Sequence, residues 1–239
     1  MQEMIRSLCR QLRLGSHIAE SYSQIQAATQ EEFLIKVLTE AVAAREVERK
    51  NRNIQQAGFE HIKSFESFDF SGMTLPGGVS PQSLRACEFV RNKQNLLHYG
   101  RPGTGKTHLA TALGVEACRA GYKVIYFKTS RLVNLLSNAQ KNDAEAKFWK
   151  KLRQADVLIL DEWGYIPFER LGTQLLFEAI SECYEKRSVI ITTNLPFDEW
   201  NTIFYDQKLT TAILDRLVHH GLLLMHEGPS YRVQHSEMN

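Results

Sequence analysis

Two hydrophobic periodicities divide this chain. Over residues 1–58 the apolar positions recur at helical spacing. Ile5, Leu8 and Leu12 share one face with Gly15 as a stop, and Ile18, Tyr22 and Ile25 continue the pattern. Thr29 followed by Glu32 has the spacing of a capping box, in which the side chains satisfy backbone N–H groups at a helix start. Phe33, Leu34, Val37, Leu38 and Ala41 then form an apolar stripe that largely ends after Ala44, and Arg45, Arg49 and Arg52 follow on one face. Gly58 closes the region. Residues 59–82 carry Gly72, Pro76, Gly77, Gly78 and Pro81 and read as a turn-rich connector, with the domain boundary near Phe59.

From residue 83 onward short apolar runs alternate with helical stretches. Strands are predicted at Asn95–Tyr99, Lys123–Phe127, Val157–Leu160, Val189–Thr192 and Leu222–His226, with helices at 105–120, 130–140, 143–153, 171–185 and 209–219. Such alternation predicts a mostly parallel sheet flanked by helices on both faces. The expected organisation is therefore a small all-helical N-terminal domain (1–58), a connector (59–82) and an α/β domain (83–239).

Gly100-Arg101-Pro102-Gly103-Thr104-Gly105-Lys106-Thr107 matches G-x-x-x-x-G-K-[ST] between a predicted strand and a predicted helix. Glycines let such a loop turn its N–H groups toward phosphate oxygens, and the helix N-terminus favours an anion. Lys106 is expected to reach the β- and γ-phosphates of a nucleotide, and the Thr107 hydroxyl to ligate Mg²⁺. Arg101 is the bulky variable position and receives no role.

Val157–Leu160 ends in Asp161-Glu162, as a buried parallel strand with two carboxylates at its C-terminal end. Asp161 is expected to hold Mg²⁺ and Glu162 to polarise an attacking water. Asn194, after the apolar run 189–192, suits a contact to γ-phosphate and water; the plainer alternative is an Asn opening a turn before Pro196. Arg216 sits in an apolar helical pattern. It is either a salt-bridged helix residue or a finger reaching the γ-phosphate of a neighbouring subunit, a contact worth roughly 10³–10⁵ in rate in P-loop NTPases. His219 and His220 invite a metal, but adjacent helical positions face apart, so that reading is set aside.

Composition narrows the classes. The 239 residues carry a formal net charge of +2, so any nucleic-acid surface has to be local. Four cysteines (Cys9, Cys87, Cys118, Cys183) have no metal-site spacing and suit a reducing cytoplasm. No apolar run approaches about 18 residues, so no membrane span is expected. Basic candidates for DNA are Arg45, Arg49 and Arg52, and the group Lys128, Arg131, Lys141, Lys147, Lys150 and Lys151. Glu46–Lys50 and Glu48–Arg52 have the i,i+4 spacing of an ordinary solvated helix, so the first stripe has a structural alternative.

GRPGTGKTHLATALG, DVLILDEWGYIPF, VIITTNLPFDEW and LTTAILDRLVHHG, together with the FESFDF segment at Phe65–Phe70, resemble the corresponding blocks of the IstB-type transposition helper ATPases. These are AAA+ proteins related to the bacterial helicase loader DnaC. The resemblance covers nearly the whole chain. It implies an AAA+ P-loop domain that binds ATP with Mg²⁺, and a homo-oligomer across an ATP interface on duplex DNA. No zinc finger or base-reading helix is recognisable in the sequence, so DNA binding largely without sequence preference is expected. The resemblance also implies a transposase partner encoded by the same element, with the helical N-terminal domain meeting DNA or a partner. Lys106, Thr107, Asp161, Glu162, Asn194 and Arg216 then take the roles argued above. Arg101 departs from the small residue or proline usual there. The segment after Tyr231-Arg232 is too short for a full C-terminal lid, leaving Arg232 as a weak substitute for a second sensor arginine. A helicase loader uses the same engine with a different partner, and a DNA-bending scaffold would bind ATP with little turnover. A small-molecule kinase fits poorly with Glu162, and a GTPase with Asn92-Lys93-Gln94-Asn95, which lacks the Asp of guanine recognition.

Overall fold

The computed structural model describes residues 1–15, 17–141, 145–165, 167–204 and 206–235. It divides into two compact units, Met1–Arg52 and Asn53–Asn239.

In the first unit, α1 (Gln2–Gln11), α2 (Ile18–Ser21) and a 3-10 turn (Tyr22–Gln24) precede α3 (Gln30–Ala57). The Glu32 N–H donates to Thr29 Oγ1 at 3.1 Å, and the Glu32 carboxylate accepts from Ala28 N–H at 2.8 Å, so the predicted start of α3 is closed from both sides. A small core gathers Cys9, Ile18, Ala19 and Ala41 with Ile5, Leu14 and Val37 packed on it. The apolar stripes are thus narrower than their periodicity implies. Leu8 of α1, Leu12 at its C-cap, and Leu34 and Leu38 of α3 are exposed.

The second unit begins inside α3, earlier than the boundary expected near Phe59. Its sheet has six strands: β1 (Met73–Thr74), β2 (Asn95–Gly100), β3 (Val124–Lys128), β4 (Val157–Trp163), β5 (Ser188–Thr193) and β6 (Gly221–His226). Their spatial order is β1-β6-β2-β5-β4-β3. Every pairing is parallel except the antiparallel β1–β6 edge. Residues 59–82, read from sequence as a connector, belong to this unit. They supply β1, and Phe65 is buried in one of its cores while Phe59, Phe68, Phe70 and Met73 pack against it.

The helices are α4 (Pro81–Arg85), α5 (Glu88–Arg91), α6 (Lys106–Arg119), α7 (Thr129–Lys141), α8 (Glu145–Arg153), α9 (Arg170–Cys183), α10 (Gln207–His219) and α11 (Tyr231–Gln234). Alternation along the strands feeds two cores. Leu96, Val157, Ile159 and Ile190 pack with Leu109 and Leu113 of α6, whereas Leu97, Leu158, Leu160 and Ile191 pack with Leu132, Leu176 and Ile213 of α7, α9 and α10. Burial of each such large apolar side chain contributes roughly 1.5–3 kcal/mol. The sheet order puts β2, β5 and β4 side by side, so the loops at their C-terminal ends converge where a doubly wound sheet binds ligands.

Candidate nucleotide-binding site

Between β2 and α6 the chain folds into an open loop because glycine permits it. Gly103 (φ 83°) and Gly105 (φ 86°) are both left-handed. A Cβ on Gly103 would lie 2.1 Å from Ser230 Oγ, and one on Gly105 would lie 2.7 Å from the Phe68 ring. The N–H groups of Gly103, Thr104 and Gly105 donate to no protein acceptor among the described residues, which suits an anion cradle. Lys106 is buried, and its Nζ donates to the carbonyls of Gly100 and Arg101, both at 2.7 Å. Burial lowers the Lys106 ammonium to about 8, against the attraction of Asp161 and with help from Arg232. Arg101 is exposed and takes part through its carbonyl, which also accepts from Thr104 Oγ1 at 2.8 Å. This donor set, free amides plus a buried cation at a helix N-terminus, fits a polyphosphate.

Asp161 is 1% exposed and held by three hydroxyls. Thr107 Oγ1 donates to Oδ1 at 2.9 Å and Tyr126 OH donates to Oδ2 at 2.7 Å, while Thr192 Oγ1 also donates to Oδ1. The main-chain carbonyl of Asp161 accepts from Thr129 Oγ1 at 2.9 Å. The two residues expected to hold Mg²⁺, Thr107 and Asp161, are therefore in direct contact, and an oxygen-only pair of this kind fits that ion. Sequence reasoning missed Tyr126 and Thr192. Their signal was a hydroxyl inside otherwise apolar strands. The Tyr126 phenol is pushed far up by burial and by facing Asp161, so it is a fixed donor.

Glu162 follows in a left-handed conformation, φ 59°, where β4 slips register against β5. Its N–H donates to Thr192 Oγ1 at 3.0 Å. Its carboxylate lies 3.2 Å from Lys128 Nζ, which also sits 3.4 Å from Glu60. The hydrogen bond to Glu162 raises Lys128 above its ordinary value. Lys128, expected on a DNA-facing patch, is thus an ion-pair partner of Glu162.

Asn194 is exposed just past β5, whose Thr193 pairs with Tyr99 on the P-loop strand and Trp163 on the acidic strand. Arg216 lies elsewhere. Its backbone carbonyl accepts from the Asn95 side chain at 3.4 Å, at the N-terminal end of β2, five residues and so roughly 16 Å from Gly100. Its guanidinium donates to the Ala212 carbonyl at 2.8 Å and stacks over Phe177 at 4.8 Å. Among the described residues it has no carboxylate within 4 Å, so the salt-bridged alternative is not what the structure contains.

Of the other basic candidates, Arg45 is engaged within its unit, donating to the Leu12 and Arg13 carbonyls at the end of α1. Arg49, Arg52 and Arg131 are exposed. His219 and His220, expected to face apart, have ring centroids 4.1 Å apart, because His220 is past the last helical residue and leaves the helical path (φ −117°, ψ 32°).

The loop also has a buried floor and a C-terminal strap. Thr104 O lies 3.2 Å from His226 Nδ1, and His226 Nε2 lies 3.0 Å from His98 Nδ1. Burial lowers His226 to about 4 and His98 well below the ordinary range. Tyr231 N–H donates to Gly103 O at 3.0 Å, bringing α11 and Arg232 against the loop.

A parallel sheet with this strand order, a glycine loop closed by Lys106 and an acidic strand end beside Thr107 define a P-loop nucleotide-binding domain of the AAA+ class. A family model described as "IstB-like ATP binding protein" matches residues 7–239, and the chain belongs to that family. It is 37% identical over 239 residues to an insertion sequence IS21 putative ATP-binding protein from Pseudomonas aeruginosa, covering 97% of this chain and 88% of that one. An IS5376 putative ATP-binding protein from Geobacillus stearothermophilus is 34% identical over 247 residues, covering 100% and 97%. Among solved structures, AMPPCP-bound DnaA from Aquifex aeolicus shares the fold with a TM-score of 0.55 at 22% identity, over 69% of this chain and 49% of that one. Among the described residues no helix is long and apolar enough to cross a membrane.

Proposed function

We propose that this insertion-sequence ATP-binding protein is a Mg²⁺-dependent ATPase that assembles as a homo-oligomer on duplex DNA in the cytoplasm and assists the transposase of its element. The observation that carries the reading is the 2.9 Å contact between Thr107 and Asp161, which joins the phosphate loop to the acidic strand. Thr107 and Asp161 hold Mg²⁺, which supplies neutralisation of phosphoryl charge. Lys106 and the loop amides of Gly103–Gly105 bind and orient the triphosphate. Glu162 takes a proton from the attacking water, and Asn194 orients that water. Arg216 is too far along β2 to serve its own nucleotide, so it acts on the γ-phosphate held by a second copy. The family's insertion-sequence relatives support the transposase partnership. The helical unit and the exposed Arg49, Arg52 and Arg131 are the surfaces offered to DNA and partner.

Turnover measured with and without duplex DNA tests this. Glu162→Gln retains ATP binding, loses turnover and locks the DNA-bound assembly; hydrolysis at the parent rate removes the proton-acceptor role. Arg216→Ala mixed with Lys106→Ala recovers part of the activity that each lacks alone; a mixture as inactive as its components rules out a finger acting across subunits. DNA affinity falls steeply as salt rises, whereas a flat salt profile removes backbone-dominated binding.

A further inference from the structure

At the opposite end of the sheet from the phosphate loop, three potential ligands converge. Glu185, His219 and His220 place one ligand atom each within 4.8 Å of the others. The His219 and His220 ring centroids are 4.1 Å apart, and His220 Nε2 lies 3.5 Å from Glu185 Oε1. We propose that these side chains form a binding site for a transition-metal dication of the zinc class, with a fourth position open to solvent.

Several independent features favour a cation here. Two imidazoles and one carboxylate are a ligand set suited to zinc-class ions and poorly suited to Mg²⁺, which prefers oxygen alone. The His219 Nδ1 lies 2.9 Å from Tyr184 OH, so a hydrogen-bond partner orients that ring. The pair sits at the C-terminal end of the 13-residue α10, where the helix dipole favours positive charge.

The backbone beneath is already fixed. The His220 carbonyl accepts from Asn95 N–H at 2.8 Å, and the Asn95 side chain donates to the Leu217 carbonyl at 3.0 Å and accepts from Val189 N–H at 2.9 Å. Glu185 is held in a left-handed conformation, φ 57°, in the turn after α9. Left-handed backbone at a non-glycine residue is strained and is frequent at ligand sites. The side chains of His220 and Glu185 are 40% and 58% exposed, so an ion reaches them without opening the fold. All four cysteines are buried, so the ligands offered at this surface are imidazole and carboxylate and not thiolate. A bound ion would tie the turn after α9 to the end of α10, beside the Tyr184 ring over which Arg216 stacks at 5.9 Å.

The test is a Zn²⁺ titration of chelator-treated full-length protein without nucleotide, read by competition with a chromophoric chelator, with Co²⁺ absorption as a second probe. The expected result is one equivalent bound in the micromolar range or tighter, with the intense visible bands of four-coordinate Co²⁺. His219→Ala/His220→Ala abolishes both signals. Tyr184→Phe and Glu185→Gln each weaken binding about tenfold or more, and His61→Ala leaves it unchanged. These are surface substitutions, and unchanged circular dichroism confirms folding; if the double variant unfolds, the Tyr184→Phe and Glu185→Gln affinities decide. Absence of binding up to about 1 mM, or binding equally strong in Glu185→Gln or in a folded double variant, overturns the proposal.

Discussion

Tyr126→Phe isolates one atom at the centre of the candidate site. The substitution keeps the ring, which sits 5.8 Å from Phe59, and removes only the hydroxyl that donates to Asp161 Oδ2 at 2.7 Å. Tyr126 is 5% exposed and Asp161 is 1% exposed, so water cannot readily replace the donor. Hydrogen bonds to charged groups contribute roughly 1.5–3 kcal/mol, and a buried acceptor left unmatched incurs a comparable penalty. For a unit of this size each 1 kcal/mol lowers Tm by roughly 2–4 °C, so a fall of about 4–10 °C is expected. Oδ1 keeps its Thr107 and Thr192 donors, so the carboxylate is loosened and not lost. Nucleotide binding should then need several-fold more Mg²⁺ while its nucleotide-only component barely changes. Thermal unfolding, with and without Mg²⁺-nucleotide, reads both effects. An Asp161→Asn cycle assigns them: in that background Tyr126→Phe should cost at least about 1 kcal/mol less. A Tm within 1 °C of the parent, roughly the scatter of such scans against shifts of this size, with an unchanged Mg²⁺ requirement, would falsify the claim that Tyr126 positions Asp161.

Three further outcomes follow from the same geometry. Burial lowers Lys106 to about 8, and phosphate binding needs the ammonium, so ATP affinity should weaken by up to about tenfold per pH unit above pH 8. The same group makes folding without nucleotide relatively more favourable from pH 8 toward 10.5, because only the unfolded chain then keeps the proton. Lys106→Arg should abolish that alkaline loss of affinity in a nucleotide titration, and a loss that persists points to another group. His226 is buried neutral with its value lowered to about 4, so its contribution to stability is complete above pH 6.5 and disappears as pH falls toward 4. His226→Gln should flatten the acid side of the stability curve, and an unaltered slope refutes the assignment. Lys128 holds Glu162 at 3.2 Å, so Lys128→Met should raise DNA-free ATP turnover several-fold; turnover equal to or below the parent means the pair does not restrain Glu162.

Local pattern carried most of the α/β unit. The runs at 95–99, 157–160 and 189–192 became β2, β4 and β5 with ends displaced by few residues, because a buried parallel strand must be apolar on both faces. The phosphate loop and Asp161-Glu162 were legible for a related reason: backbone turned toward an anion favours glycine, and a carboxylate closing an apolar strand has to be matched by donors or a cation. Helical periodicity overstated the N-terminal cores, since it reports which residues share a face and not whether anything covers that face; Leu34 and Leu38 share theirs with solvent.

Contacts between distant segments were settled by the tertiary structure alone. Strand order brought Thr192 and Tyr126 to Asp161 from opposite sides, and no spacing in the chain encodes that neighbourhood. The 59–82 segment looked like a linker because Gly72, Pro76, Gly77, Gly78 and Pro81 punctuate it, yet pairing with β6 makes it an edge of the sheet. His219 and His220 face together only because α10 ends between them, so a rule that holds inside a helix lapses at its terminus. The amino-acid order thus determined which elements form and what kind of ligand the phosphate loop can cradle, since both depend on neighbours a few residues apart. The packed sheet decided which hydroxyls hold the carboxylate, which lysine pairs with Glu162 and at which end of β2 Arg216 sits, because those contacts join residues that only folding makes neighbours.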